Sequence, residues 1–305
     1  MINEPVLGGM AQTPADRAEP IARPGNTNCG GCGMTVGHHF LARAAASQPI
    51  QMVIPACCGI VTAGPFPTSA YGAPVVAATF ASAAAVATGL TRMARLNGED
   101  TKIVCWAGDG GTYDIGMATL SAAAERDEDI LYVCYDNEIY GNTGGQRSSA
   151  TPLGAVTTTT HRGKSERKKD ILAIMAAHGI PYAATISLAH PEDALRKFRR
   201  GLAMDGFRFL HMLSPCPTGW KSEPGDGIEL VRLAVRAGLY AVYEIVDGHQ
   251  VTLNVDPDLT SPEAQQALAT YIAGQGRFRK SNVDVSTVRA GILESWERLR
   301  RLAAC

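Results

Sequence analysis

Two sets of side chains in this 305-residue sequence have the types and spacing to do chemistry. The first lies in residues 102–146, where an apolar run, residues 103–107, ends in Gly108-Asp109-Gly110-Gly111. Glycines let backbone N–H groups approach a ligand without side-chain hindrance. A helix starting there adds unpaired N–H groups and partial positive charge, so the turn suits an anionic phosphate. Asp109 would repel a bare phosphate. It becomes useful by holding a divalent cation that in turn binds phosphate, because hard cations take carboxylate and carbonyl oxygens. Asn137, 28 residues on, offers a side-chain oxygen, and Ile139 a main-chain carbonyl. The second set is cysteine, at positions 29, 32, 57, 58, 105, 134, 216 and 305. The sequence opens without a basic start followed by an apolar block, so no signal peptide is expected. Disulfides are then not expected, and metal or catalysis is the default for cysteines that cluster. Cys29 and Cys32 form a C-x₂-C in a glycine-rich loop; Cys57 and Cys216 each follow an apolar run. Four thiolates converging would make a Cys₄ site, which zinc and an iron–sulfur cluster both accept. A single knuckle with two distant ligands favours the cluster and leaves zinc open. Cys105 and Cys134 fall inside apolar runs and read as core residues; Cys58 and Cys305 read as bystanders.

These residues need elements to position them. Residues 102–146 read as strand, turn, helix and strand, with Asp114 near the helix start, a βαβ unit. Further strands are expected at 51–55, 182–187 and 207–213, and a small hairpin at 240–245 and 251–253. Helices are expected at 34–44, 73–96, 171–178, 191–202, 228–238, 262–275 and 285–304. The helix at 73–96 is Ala-rich, and Gly89 in it permits close approach. His38 and His39 read as surface or core histidines. Residues 60–72 read as a loop. Residues 147–169 form a polar, turn-rich loop long enough to be functional or a partner contact. Its basic run, 162–169, reads as a solvated face or as an attraction for an anionic cosubstrate. Alternating strands and helices predict an α/β fold: a mainly parallel central sheet flanked by helices, with a C-terminal helical and hairpin appendage. Residues 102–107 and 130–136 should be neighbouring central strands, since apolar runs are buried on both faces. The division expected is an N-terminal extension at 1–24, the site-bearing domain at 25–225, and an appendage at 226–305 that packs on the domain and on partner subunits.

Composition excludes several classes. Apolar residues are 46 % and charged residues 19 %, ordinary for a globular protein. A formal charge of −1 gives no footprint for nucleic acid or an anionic membrane surface. The longest apolar stretch, 73–90, is broken by Thr and Ser and reads as core, not as a bilayer span. A cytoplasmic location is expected.

A GDG turn followed some thirty residues on by an Asn-type ligand resembles the thiamine-diphosphate fingerprint. More widely, residues 25–300 resemble the β subunit of 2-oxoacid:acceptor oxidoreductases, the pyruvate:ferredoxin oxidoreductase family. The likeness is carried by a loose N-x-C-x-G-C-G at 26–33, ATGL at 87–90, GDGGTYDIG at 108–116, NTGGQ at 142–146, TPLGAVTTTT at 151–160, GK and KKD within 163–170, SPCPTGW at 214–220 and QGRFR at 275–279. One departure is that Cys57 is followed by a second cysteine where relatives often have Ser.

The resemblance implies a thiamine diphosphate-binding fold and oxidative decarboxylation of a 2-oxoacid to acyl-CoA and CO₂, with electrons passed to a [4Fe–4S] cluster. It implies Mg²⁺ on Asp109, Asn137 and the Ile139 carbonyl. Gly108, Gly110, Gly111, Asn142 and Thr143 would contact the cofactor, with Asn142 catalytic. Cys29, Cys32, Cys57 and Cys216 would hold the cluster. Coenzyme A would be cosubstrate. The Glu that activates the aminopyrimidine, and the CoA site, would come from α/γ-type subunits, and electrons would leave through a ferredoxin-like subunit or domain. The TPLGAVTTTT stretch is similar to that of members acting on pyruvate; branched-chain and aryl 2-oxoacids such as phenylglyoxylate stay open. So do a non-redox thiamine decarboxylase or ligase with structural zinc, and a silent scaffold subunit, which intact Asp109 and Asn137 argue against.

Overall fold

The structure, a computed structural model, describes residues 19–64, 69–281 and 284–304. Most of the expected N-terminal extension, and Cys305, lie outside the described residues. The strands are β1 (Ile50–Pro55), β2 (Val75–Ala78), β3 (Lys102–Gly108), β4 (Ile130–Asp136), β5 (Tyr182–Ser187), β6 (Phe207–Leu213), β7 (Tyr243–Val246) and β8 (Gln250–Leu253). They form one sheet in the order β2-β1-β3-β4-β6-β5-β7-β8. The first six run parallel; β7 pairs antiparallel with β5, and β8 antiparallel with β7. The helices are α1 (Gly33–Ala45), α2 (Cys58–Val61), α3 (Ala83–Asn97), α4 (Met117–Glu125), α5 (Ile171–Ala176), α6 (Pro191–Ala203), α7 (Pro217–Trp220), α8 (Gly227–Arg236), α9 (Pro262–Ala273) and α10 (Val285–Ala303).

β3 and β4 are neighbours at the centre, with Val104 opposite Leu131. Their apolar runs are explained by burial on both faces. Side chains alternate across a strand, so Ile103, Cys105, Ala107, Ile130, Tyr132 and Cys134 enter the core under α3, α4 and α5. Val104, Trp106, Leu131, Val133 and Tyr135 enter the core under α1 and α6. Cys105 and Cys134 are thus apolar packing residues. The β7–β8 hairpin extends the same sheet beyond β5, where Tyr182 pairs with Val246. α8, α9 and α10 cover that end around Trp220, Leu230, Tyr271 and Trp296.

The expectation of one helix over residues 73–96 is corrected. Val75 and Val76 pair with β1 as an edge strand, Met52 opposite Val75, and the helix starts only at Ala83. Val75 and Val76 are β-branched and favour extended backbone. Ala-rich composition hid the break, since Ala is compatible with both. Among the described residues, nothing lies within 4 Å of where a Cβ on Gly89 would stand. The loop expected at 60–72 begins inside the short α2.

Candidate active site

Four consecutive strands of the sheet, β1, β3, β4 and β6, end on the same side, and each leads directly into a loop singled out by its chemistry. β1 leads to Cys57, β3 to Asp109, β4 to Asn137 and β6 to Cys216. The strand order reverses between β1 and β3, which is where open α/β sheets place their ligands.

Gly108, Asp109, Gly110, Gly111, Asn137, Ile139, Asn142 and Thr143 all line one cleft of about 130 Å³, and Cys57 and Cys58 share its wall. Phe80, from the turn after β2, and Tyr140 meet edge to face across it, ring centroids 5.9 Å apart. A Cβ on Gly110 would lie 2.3 Å from the Tyr140 ring, so only glycine fits there. Asp109 is 1 % exposed and accepts a hydrogen bond from the Ser148 hydroxyl. Burial, then the nearby Asp136, pushes its carboxyl well above the usual carboxylate range. A buried acid short of positive charge, beside glycine N–H groups, fits a cation bound to a diphosphate. The Asn137 side-chain oxygen accepts from the Ile139 N–H at 3.3 Å. Between these two residues Glu138 lies in the left-handed region, φ 65°.

That loop is anchored from below. Lys168 pairs with Asp136 at 2.5 Å and with Glu138 at 3.2 Å, and Arg277 pairs with Glu138 at 2.6 Å. His211 Nε2 lies 2.7 Å from Asp136 Oδ2, and the Tyr113 hydroxyl donates to the same oxygen at 3.0 Å. Although burial opposes the charge of Asp136, Lys168 and His211 hold its carboxyl well below the ordinary range. The expectation for residues 162–169 is corrected in part. Lys164 is buried, donating to the carbonyls of Ser149 and Thr151, and burial pushes its amine down to about 8. Lys168 is internal scaffolding rather than solvated face or ligand lure. Asp114 accepts from the Ser149 N–H and hydroxyl and from the Tyr140 hydroxyl, tying residues 147–169 to the cleft. Glu138, Ser148, Lys168 and Arg277 were not foreseen; KKD and QGRFR flagged two of them without indicating their role.

The cysteine loops also come together. The Gly33 N–H donates to the Pro215 carbonyl at 2.9 Å, and the Thr218 hydroxyl reaches Cys29 Sγ at 3.9 Å. A Cβ on Gly33 would stand 2.4 Å from Pro215 Cδ, so glycine sets how closely the knuckle meets the Cys216 loop. Cys32, Cys57 and Cys216 each stand at the N-cap position of a helix, α1, α2 and α7. Cys216 Sγ accepts from the Gly219 N–H at 3.3 Å. Helix starts favour thiolates, yet burial dominates and pushes all three thiols up, Cys216 to about 11. Cys58 is pushed to about 12, by burial and then by Cys216, Cys57, Cys32 and Cys29; the Cys57 sulfur meets the Tyr135 hydroxyl. Among the described residues no three His, Cys, Asp or Glu side chains gather tightly enough to hold a single metal ion. His38 is buried in the core and His39 exposed.

Residues 57–212 match the model of the thiamine pyrophosphate enzyme family, C-terminal TPP-binding domain. Ketoisovalerate oxidoreductase subunit VorB of Pyrococcus furiosus is 40 % identical over 291 residues, covering 92 % of both chains. Pyruvate synthase subunit PorB of Methanothermobacter thermautotrophicus is 41 % identical over 268 residues, 86 % of this chain and 90 % of that one. The solved 2-oxoglutarate:ferredoxin oxidoreductase from Magnetococcus marinus superposes with a TM-score of 0.61 at 23 % identity, over 92 % of this chain and 96 % of that one, which establishes a common fold. With thiamine-type loops at adjacent strand ends and relatives of this likeness along nearly the whole chain, the protein belongs to the thiamine pyrophosphate enzyme family, as a β subunit of the 2-oxoacid:ferredoxin oxidoreductases.

Proposed function

We propose that the chain carries thiamine diphosphate, Mg²⁺ and a [4Fe–4S] cluster in a CoA-acylating 2-oxoacid oxidoreductase. The observation that carries this is the shared wall: Cys57 and Cys58 line the same cleft as Asp109 and Asn137. A redox centre held there would lie within reach of the carbon being oxidised. Asp109, Asn137 and the Ile139 carbonyl would hold Mg²⁺, with Gly108, Gly110, Gly111 and Thr143 giving the diphosphate close backbone approach. Cys29, Cys32, Cys57 and Cys216 would hold the cluster. Bound thiamine supplies the carbanion chemistry that releases CO₂ from a 2-oxoacid, and the cluster takes up the electrons. The chain's part is to bind, orient and exclude water. Tyr140 and Phe80 wall the cleft, Ser148 orients the Asp109 carboxylate, and Asn142 stands at the rim to meet the substrate.

Residues 25–225 carry the cofactors in this reading, and residues 226–305 pack on them and on partner subunits. α- and γ-type subunits supply the aminopyrimidine Glu and the CoA site, and a ferredoxin-like subunit or domain accepts electrons, in a cytoplasmic complex. No helix among the described residues is long and apolar enough to cross a membrane. The names of the relatives carry three 2-oxoacids: ketoisovalerate, which is branched, pyruvate and 2-oxoglutarate. The experiment assays the purified complex, with CoA, against pyruvate, 3-methyl-2-oxobutanoate, 2-oxoglutarate and phenylglyoxylate. CoA-dependent CO₂ release with acceptor reduction from one of them is expected. CO₂ release without acceptor reduction would contradict the redox reading, and iron-free active protein would favour structural zinc.

A further inference from the structure

We propose that Arg277 is a positioning residue that locks the Asn137–Ile139 loop to the helix bearing Cys216, and thereby fixes the thiamine and cluster sites relative to each other; this rests on the function proposed above. Arg277 is 2 % exposed, although it comes from the turn between α9 and α10. Its Nη2 donates to Glu138 Oε2 at 2.6 Å and to the Tyr271 hydroxyl at 3.2 Å. Its guanidinium lies 4.5 Å from the centre of the Trp220 ring. Glu138 and Trp220 belong to the two loops in question.

Glu138 separates Asn137 from Ile139, and its φ of 65° is costly for a residue with a side chain. Such a conformation persists only when its surroundings hold it. Here the Asp136 carboxylate accepts from the Glu138 N–H at 2.9 Å, and the Thr151 hydroxyl donates to its carbonyl at 2.7 Å. Its carboxylate is clamped by Arg277 and by Lys168, which is shared with Asp136. Trp220 ends the helix capped by Cys216, and its Nε1–H donates to the Asn137 carbonyl at 2.9 Å. Between them, a Cβ on Gly219 would lie 2.8 Å from Ile139 Cγ2 and 3.2 Å from Cys216 Sγ. The two loops therefore touch with no slack, and one guanidinium grips both, by charge on one side and by stacking on the other. Arg277 Nε is buried without a hydrogen-bond partner. The guanidinium stacks on Trp220, in the short helix that starts after Cys216, so its positive charge stands beside that loop and would favour the reduced, more negative state of a cluster bound there.

The test uses the purified complex, with thiamine diphosphate affinity measured at saturating Mg²⁺ and the cluster midpoint measured by EPR-monitored titration. Arg277→Gln should weaken thiamine binding about tenfold, ~1.4 kcal/mol, the scale of one charge-assisted hydrogen bond, and should move the midpoint to more negative potential. Arg277→Lys should keep the midpoint near wild type and recover only part of the affinity, since an ammonium lacks the flat fork. Trp220→Phe, which keeps the stacking face but loses the bond to Asn137, should weaken thiamine binding and leave the midpoint in place. A folded Arg277→Gln complex with either quantity unchanged overturns the proposal. Should that variant not assemble, unchanged thiamine affinity in both Arg277→Lys and Trp220→Phe overturns it. Wild-type complex lacking thiamine binding or a reduced-cluster signal overturns the functional reading itself, and the brace with it.

Discussion

Asp109 sits at the carboxyl end of β3, buried, with Ser148 as its hydrogen-bond donor and Asp136 opposing its charge. A bound cation would relieve that opposition, so Asp109→Ala should lose thiamine retention. The check is thiamine content after gel filtration, and stoichiometric thiamine in the variant would contradict the assignment. The adjacent cysteines set a sharper question. Cys57 shares the N-cap position of Cys32 and Cys216, while Cys58 is the first residue of α2 and lines the cleft beside Cys57. We expect Cys57→Ser to lose or convert the cluster and Cys58→Ser to keep its iron and EPR signature; the reverse pattern would transfer the ligand role. His38 gives a pH effect. Burial, then His39, brings its pKa down to about 3 from 6.5, and both ring nitrogens lack a hydrogen-bond partner beneath Trp106. Unfolded chain takes up a proton below 6.5 and folded chain does not until about 3. Stability present above 6.5 therefore falls as pH drops through that window, by about 1.4 kcal/mol per pH unit. His38→Phe should flatten the decline in denaturant midpoint between roughly pH 7 and 5, and an unchanged slope would contradict this. Asp109, Asn137, Cys57 and Cys216 could be singled out because each follows an apolar run, and these runs are β3, β4, β1 and β6. Arg277 was not, because its partner Glu138 is 139 positions away and no local pattern records a contact at that range.

At the level of elements, strands buried on both faces read clearly from their apolar runs, and β3, β4, β5 and β6 stand where expected. The edge strand β2 did not, because alanine disguises an extended segment as helix, and with it went the placement of Phe80 in the cleft wall. The long segment 147–169 was legible as a loop, but not its interior role. Lys164 and Lys168 look solvated in sequence and are inward in the fold, because the acids that draw Lys168 in, Asp136 and Glu138, lie at the end of β4. Lys168→Met should cost roughly 3 kcal/mol, as expected when one partner of a buried ionic network is removed. Denaturant unfolding measures it, and a change below about 0.5 kcal/mol, the size of an ordinary surface substitution, would show the network to be unimportant.

For the whole molecule, one sheet edge gathers the ends of four neighbouring parallel strands, and the chemistry sits on loops there while helices on both faces keep the frame rigid. The α8–α10 end contributes Arg277 to that same edge, so the C-terminal region is joined to the site through a buried contact. In the function proposed above, electrons from a 2-oxoacid bound at the Asp109–Asn137 cleft pass directly to a cluster held by this chain. The most direct measurement is the visible absorbance and EPR of the anaerobic complex after addition of its 2-oxoacid without external acceptor. We predict about four irons per chain, loss of cluster absorbance and appearance of a reduced-cluster signal in wild type, and no such change in Asp109→Ala with its iron intact. A complex that releases CO₂ while its cluster stays oxidised, or whose Asp109→Ala variant still reduces the cluster, would contradict the account.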